Sequence, residues 1–201
     1  RIGDLLRNKL SFRSVVLQDF TANVYRQSPD STFNFQFIID AFAPADTTKK
    51  EPSENPMQIS FKNIKLGNGT LRYDVMSAPQ TPGKFNANHF YVTDFNLDAS
   101  IPSLDMKRLK ATIKNLSLTE HYAGMNLERF KATLRSKDSK YWGNGLKLKF
   151  NNSEIDIKRA SYDVASKEYL AQLKSEAIDP LDISIFTDVI SHLDKTFYID
   201  A

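Results

Sequence analysis

The chain has 201 residues, a net charge of +3, a hydrophobic fraction of 41% and no cysteine. This length suits one large or two small domains with a buried core, and the composition is ordinary for a soluble domain. The charge is too small to demand a nucleic-acid partner, and the lack of cysteine excludes disulfides, thiolate metal sites and a cysteine nucleophile. No apolar run approaches the roughly 20 residues that cross a bilayer, and no signal peptide is evident. A start at Arg1 rather than Met indicates a piece of a longer protein.

The first part of the chain contains a strand rich in phenylalanine. Residues 2–6 have the spacing of a short turn of helix, and residues 30–42 then alternate apolar and polar side chains, as a half-buried strand does. The apolar positions of this strand are Phe33, Phe35, Phe37, Ile39 and Ala41. Residues 43–56 contain three prolines among polar residues, which predicts a flexible loop.

Strand patterns continue through most of the remaining length. Alternation recurs at residues 57–62, 95–101, 109–113, 146–150 and 155–158. The apolar positions of these segments include Ile59, Phe61, Phe95, Leu97, Ile113, Leu148 and Phe150. Two Gly-Asn-Gly triplets, at 67–69 and 143–145, supply residues that tolerate positive φ and predict hairpin turns. Strands joined by turns, with no long helical pattern between them, favour antiparallel pairing over βαβ units.

A weak internal repeat runs through these strands. It consists of an apolar residue, an Asn or Asp two positions later, and apolar residues at offsets three and five. Matches begin at Leu17, Phe61, Val92 and Ile113. The step of three shifts the side-chain parity as a β-bulge would, and bulged strands are what a curved sheet needs.

The C-terminal part contains a helix signal. Asp179 has the position of an N-cap and Pro180 the position of the first helical residue. Apolar residues then keep a helical spacing to about Lys195. The sequence therefore predicts one amphipathic helix over residues 180–195.

The histidines and acidic residues do not form a catalytic or metal-binding signature. His89 and His121 fall on predicted strands, and Glu120 beside His121 points to the opposite face, so these two side chains cannot hold one ion. His192 follows Asp188 by four residues, as on a solvated helix face. HExxH, GxSxG and P-loop patterns are absent. We expect a protein that is not an enzyme and that uses no cofactor or metal.

Several lysines lie on the predicted polar face of the strands, namely Lys110, Lys114, Lys147 and Lys149. One interpretation is solubility and protection against edge pairing, and the other is contact with anionic lipid headgroups or an acidic partner. Trp142 precedes a predicted turn and is expected to cover the edge of the sheet.

Six segments carry a resemblance to a known family: 17–25 (LQDFTANVY), 30–37 (DSTFNFQF), 78–85 (APQTPGKF), 116–120 (LSLTE), 123–127 (AGMNL) and 179–182 (DPLD). They resemble the N-terminal periplasmic region of the TamB family of translocation and assembly module proteins, within the AsmA-like superfamily. The resemblance covers essentially the whole chain. It depends on patterns of apolar and small polar residues rather than on a catalytic signature.

The resemblance implies a segment of a long envelope protein in bacteria with an outer membrane. Such proteins are anchored in the inner membrane, cross the periplasm as a β-sheet folded into an elongated apolar groove, and engage an outer-membrane partner at the C-terminus. For this chain it implies a mainly β fold, with residues 1–201 as a single fragment of a curved antiparallel groove followed by one C-terminal helix. It also implies a periplasmic monomer that handles phospholipid, binds no nucleic acid, and reaches an outer-membrane assembly partner through regions absent from this chain.

The residues implied to line a lipid-binding groove are Phe33, Phe35, Phe37, Ile39, Ile59, Phe61, Phe95, Leu97, Ile113, Leu148 and Phe150. Periodicity alone does not separate a lined groove from a packed core, because both bury the same face of a sheet. The leading hypothesis is a non-enzymatic module that shields acyl chains for transport toward the outer membrane. The alternative is a scaffold for outer-membrane protein assembly, in which a sheet edge pairs with a client strand.

Overall fold

In a computed structural model, the described residues form one open, curved sheet of ten strands and one short helix. The structure describes residues 9–34, 58–103 and 108–187. The elements are β1 (Lys9–Phe12), β2 (Val15–Gln18), β3 (Thr21–Arg26), β4 (Gln58–Val75), β5 (His89–Ser103), β6 (Lys110–Glu120), β7 (Met125–Lys137), β8 (Lys140–Phe150), β9 (Ser153–Asp163), β10 (Glu168–Ala177) and α1 (Pro180–Ser184). The prediction of a mainly β chain with a curved sheet is therefore confirmed.

Strands β4 to β10 follow one another across the sheet as antiparallel neighbours, as predicted. The first edge is different, because β1, β2 and β3 all run parallel to β4. Their register has one constant offset: Lys9 pairs with Gln58, Val15 with Ile64, and Thr21 with Thr70. They are thus one interrupted edge strand. The antiparallel prediction is wrong for this edge, since residues 27–57 are long enough to make the return that a parallel pair requires.

The two Gly-Asn-Gly triplets lie inside β4 and β8, so the prediction of hairpin turns there is wrong. Glycine is required at these positions for space. A Cβ on Gly69 would lie 2.3 Å from the ring of Phe20, and one on Gly143 would lie 2.8 Å from Leu146 Cδ1. Gly145 has a φ of 58° at a place where the β7–β8 register shifts. The triplets therefore accommodate neighbouring side chains and bulges.

The bulges that the internal repeat predicts are present. Register shifts occur between Phe61 and Ile64 in β4, and in β5 and β6 at the corresponding places. The extra residue in β5 is Asp94, which has a φ of 52°. Asp19, in the repeat that begins at Leu17, also has a φ of 52° and separates β2 from β3. These bulges bend successive strands and account for the curvature of the sheet.

The sheet has one apolar face, marked by a row of directly paired residues that crosses seven strands. The row is Leu17, Leu66, Leu97, Leu116, Phe130, Leu148 and Ile155. The opposite, polar face has cross-strand pairs such as Lys65 opposite Asp98 and Lys147 opposite Asp156. Side chains alternate between the two faces along each strand except at the bulges.

Helix α1 packs on the apolar face, at the end of the sheet where β8 finishes and β9 begins; we call this the helix end. The buried core there contains Leu127, Phe150 and Ile155, and Ile183 and Phe186 pack against it. The Phe150 and Phe186 rings meet edge to face, with centroids 5.8 Å apart. This end of the apolar face is therefore filled by side chains that follow the last strand.

The predicted start of the helix is confirmed in detail. Asp179 is the N-cap and its carboxylate accepts a hydrogen bond from the Leu181 N–H, with Pro180 as the first helical residue. Asp182 is buried, and its Oδ2 accepts from the Asn152 N–H at 2.9 Å and from Ser153 Oγ at 2.7 Å. These bonds tie the first turn of α1 to the β8–β9 hairpin.

Several predicted segments lie partly or wholly outside the described residues. These are the turn of helix at 2–6, the loop 43–56, the part of the aromatic strand at 35–42, and residues 188–195 of the C-terminal helix. The described start of the aromatic strand is a turn, after which Phe33 forms a single antiparallel bridge to Arg26. Within the described ranges, no helix is long and apolar enough to span a bilayer.

Candidate apolar binding site

A cavity of about 510 Å³ lies on the apolar face at the other end of the sheet, where β8 and β10 begin and β9 finishes. We call this the cavity end. Most of the lining side chains are apolar or aromatic: Leu109, Leu134, Tyr141, Gly143, Leu146, Ala160, Tyr162, Tyr169, Ala171 and Leu173. Arg135, Trp142, Ser161 and Leu170 also border it. Its volume falls within the roughly 300–1,000 Å³ of typical ligand pockets.

Two cross-strand rows explain why this space exists. In the first row Leu134, Gly143, Ala160 and Ala171 lie opposite one another on β7 to β10. Three of these four residues are glycine or alanine, so the floor of the cavity carries little side-chain volume. In the second row Tyr141, Tyr162 and Tyr169 are neighbours, and the last two rings stack with centroids 4.4 Å apart. Small residues beside a tyrosine wall leave a recess.

Six of the eleven residues that the sequence implies for a groove lie together on the apolar face. They are Phe61, Phe95, Leu97, Ile113, Leu148 and Phe150. Phe61 stacks on Phe12 at a centroid distance of 5.0 Å, and Phe95 meets Phe20 edge to face. Leu148 and Phe150 belong to the packed helix end, where Phe150 is only 1% exposed. Their contact with lipid stays a prediction.

The remaining five predicted residues are placed differently. Phe35, Phe37 and Ile39 lie outside the described residues, and Ile59 is described only by its backbone in β4. Phe33 follows β3, where its ring lies 6.4 Å from that of Tyr73 and 5.2 Å from the Arg26 guanidinium carbon. None of the eleven borders the cavity.

Sequence patterns do not reveal the cavity residues, because the triplet 143–145 has the composition of a turn. A turn at these residues would end the strand there, so the pattern does not predict the first half of β8 or its pairing with β9. The available signal was the recurrence of tyrosine at 141, 162 and 169, beside small residues at 143, 160 and 171. Alternation on β8 and β9 would have placed the tyrosines on one face once the strand was continued through the glycines.

Trp142 is also placed differently from the prediction. It lies within β8, opposite Arg135 on β7 and Ser161 on β9, so it is two strands away from the β10 edge. The prediction that it covers the sheet edge is wrong, because β8 continues through residues 143–145 instead of turning there.

Glu120 and His121 have structural partners at the helix end. Glu120 is buried, and its carboxylate accepts hydrogen bonds from the backbone N–H groups of Tyr91, Tyr122 and Ala123. His121 is exposed, stacks on Tyr91 and lies 2.9 Å from Thr93 Oγ1 through Nε2. The carboxylate therefore holds the turn after β6 in place, where three backbone donors need an acceptor.

His89 and Asp74 form a second polar cluster there. His89 is buried, with Nδ1 at 3.0 Å from Asp74 Oδ1 and Nε2 at 2.9 Å from the carbonyl oxygen of Ala78. Burial raises the pKa of Asp74, but hydrogen bonds from His89 and Arg72 outweigh it, so the pKa lies below the ordinary aspartate value. This pair fixes the start of the loop 76–88, which reaches α1 through the bond from the Phe85 N–H to the Ile185 carbonyl.

Across residues 9–34, 58–103 and 108–187, no group of three or more His, Asp or Glu side chains is arranged to hold a metal ion. No family model matches the chain. No curated protein and no solved structure is detectably similar to it. The resemblance to the TamB family therefore stays a prediction.

Proposed function

We propose that the protein is a non-enzymatic lipid-handling module in which the apolar face of the curved sheet shields acyl chains from water. The cavity of about 510 Å³ at the cavity end is the observation that carries this proposal. An acyl chain gains about 0.8 kcal/mol for each buried CH₂, so a recess lined by leucine and tyrosine binds it without any bond chemistry. On the family resemblance, the module is a segment of an inner-membrane-anchored periplasmic protein that passes phospholipid toward the outer membrane.

The apolar row supports a path that leads away from the cavity. It crosses seven strands, and at about 4.8 Å per strand spacing it extends on the order of 30 Å, similar to the hydrocarbon thickness of a bilayer. Five of its members are half-buried rather than buried: Leu66, Leu97, Leu116, Phe130 and Leu148. Partial exposure leaves these side chains able to contact a ligand that slides along the face. Leu116, Phe130 and Leu148 also pack partly against the helix-end core. We therefore expect lipid at the cavity end and along the side of the row that stays exposed, and not beside Phe150.

Filling the cavity tests this function. Ala171→Phe adds a ring to the floor, while Gln172→Phe adds the same ring to the neighbouring position on the polar face of β10. After incubation with phosphatidylcholine vesicles, native mass spectrometry should show retained lipid on the wild type and on Gln172→Phe, and several-fold less on Ala171→Phe. Empty wild-type protein under gentle conditions, or equal retention by both variants, would contradict the proposal.

A protein-interaction scaffold that assists outer-membrane protein assembly is the second candidate. The outer edge of β10 favours it, because no described strand pairs there, Tyr169 and Leu170 are exposed, and an edge strand offers backbone groups to a client strand. A photo-crosslinking residue at Gln172 should then capture unfolded outer-membrane β-strands, whereas the same residue at Lys131 on the central strand β7 should not. Equal capture at both positions would rule out edge pairing.

A further inference from the structure

The polar face of the sheet contains a hollow of about 790 Å³ that the proposed function does not use. Its lining includes five cationic side chains around the single tryptophan of the chain: Arg108, Lys110, Arg135, Lys137, Arg159 and Trp142. Asp138 is the one acidic residue among the lining residues. The hollow therefore combines a concentrated positive charge with an indole ring.

The register places this hollow on the face opposite the apolar cavity. Lys110, Arg135, Trp142, Ser161 and Leu170 are successive partners across β6 to β10, and this row alternates with the row of Leu134 and Gly143. The cavity and the hollow thus lie back to back on the same four strands, β7 to β10. A ligand in one does not occupy the other.

The five cationic side chains of the hollow have no partner among the residues that the structure describes. Among the described residues, none of the five forms an ion pair or a side-chain hydrogen bond. Two lysines elsewhere on the polar face do form ion pairs, with Lys114 Nζ at 3.2 Å from Asp98 and Lys147 Nζ at 3.1 Å from Asp156. The hollow is distinguished by concentration, because its lining brings five such cations together with one acidic residue.

The arrangement also has an unfavourable element that an external anion would relieve. Lys110 and Arg135 are direct cross-strand partners, and like charges directly opposite each other destabilise a sheet. An anion between them attracts both cations and offsets this repulsion. Guanidinium groups are suited to phosphate because their parallel N–H donors match two phosphate oxygens.

We propose that the hollow binds the phosphate headgroup of an anionic phospholipid at a membrane surface. Trp142 supplies an amphipathic ring of the kind that favours the headgroup region of a bilayer. Leu170, which is 55% exposed at the β10 edge, adds an apolar side chain to the lining of the hollow. The hollow is larger than a single phosphate needs, and the net charge of +3 is small for a nucleic-acid partner. This inference goes beyond the proposed function and is independent of what the apolar cavity holds.

Vesicle co-sedimentation tests the charge requirement. The wild type should bind vesicles of equimolar phosphatidylcholine and phosphatidylglycerol and should bind pure phosphatidylcholine vesicles far less. The double variant Lys110→Gln/Arg159→Gln should bind the anionic vesicles more weakly by on the order of 30-fold, about fivefold per basic residue. The matched control Lys114→Gln/Lys147→Gln removes the same charge from the paired lysines and should bind as the wild type does. Equal loss in both variants, or binding that is indifferent to phosphatidylglycerol, would overturn the proposal.

Tryptophan fluorescence gives a second readout on the unaltered chain. Trp142 is the single tryptophan, so its emission should shift to the blue with phosphatidylglycerol vesicles and not with phosphatidylcholine vesicles. The titration is repeated with Ala171→Phe, because Trp142 also borders the apolar cavity. A shift that disappears in this variant, or one that polyglutamate reproduces as well as vesicles do, would overturn the membrane assignment. Lipid retention by native mass spectrometry reports on the cavity alone, so the two proposals fail separately.

Discussion

The two ends of the apolar face are formed by the same strands, but one end is a packed core and the other contains a cavity. At the helix end, large side chains on β7 to β9 meet Ile183 and Phe186, and Phe150 is almost fully buried. At the cavity end, glycine and alanine occupy the corresponding face of β8 to β10, and the lining contains no residue of α1. Side-chain volume and one short helix therefore decide where the face becomes core and where it stays open.

The largest effect is expected from emptying the helix end. Phe150→Ala removes a ring that is 1% exposed and packed against Phe186, so it should lower the free energy of unfolding by about 3–5 kcal/mol. Leu146→Ala, in the half-buried wall of the cavity, should cost less than half as much. Urea unfolding of both variants measures the difference. Equal losses would mean that the two ends are packed alike.

A smaller effect is expected from detaching α1. Asp182→Asn weakens the buried acceptor for Asn152 N–H and Ser153 Oγ, and should cost about 1–3 kcal/mol. Asp179→Asn is the control, because asparagine caps helices about as well as aspartate. Hydrogen exchange should show faster exchange in α1 and the β8–β9 hairpin for the first variant, with the cavity end unchanged. Protection that is lost throughout the sheet would contradict a local role.

The smallest effect is expected from acid. The pKa of Asp74 is lowered in the folded protein, so its contribution to stability is complete above the ordinary aspartate pKa and is lost as pH falls through the lowered pKa. The loop 76–88 should loosen first, because Asp74 holds His89 and His89 holds the Ala78 carbonyl. Asp74→Asn should remove this part of the pH dependence. Thermal unfolding from neutral to acidic pH measures it, and an unchanged slope in the variant would contradict the assignment.

Local patterns allowed much of the sheet to be predicted. The start of the helix depends on residues within one turn, and the bulges depend on residues within five positions, so the sequence around Asp179 and Asp94 contains the needed information. Alternation likewise placed Phe61, Leu97 and Ile113 on one face. These features are set by short-range geometry.

The rest depends on contacts between distant residues. The parallel edge pairs Thr21 with Thr70, and no local pattern indicates that partner. Gly69 is needed because the Phe20 ring, far away in sequence, occupies the space of a side chain there. The local sequence does not distinguish this role of glycine from its role in turns. The cavity exists because three small residues on different strands are neighbours in the folded sheet. A cavity of this kind can be predicted only when the strand register is known.

The bulges have a consequence for how a sheet of this kind changes over generations. Val92 and Phe95 both lie on the apolar face with two residues between them, and Asp94 is the extra one. Deleting Asp94 would leave both side chains where they are and straighten β5, whereas deleting an ordinary strand residue would invert every side chain beyond it. The radius of curvature of the sheet can therefore change by single-codon insertions or deletions, while each side chain stays on its apolar or polar face.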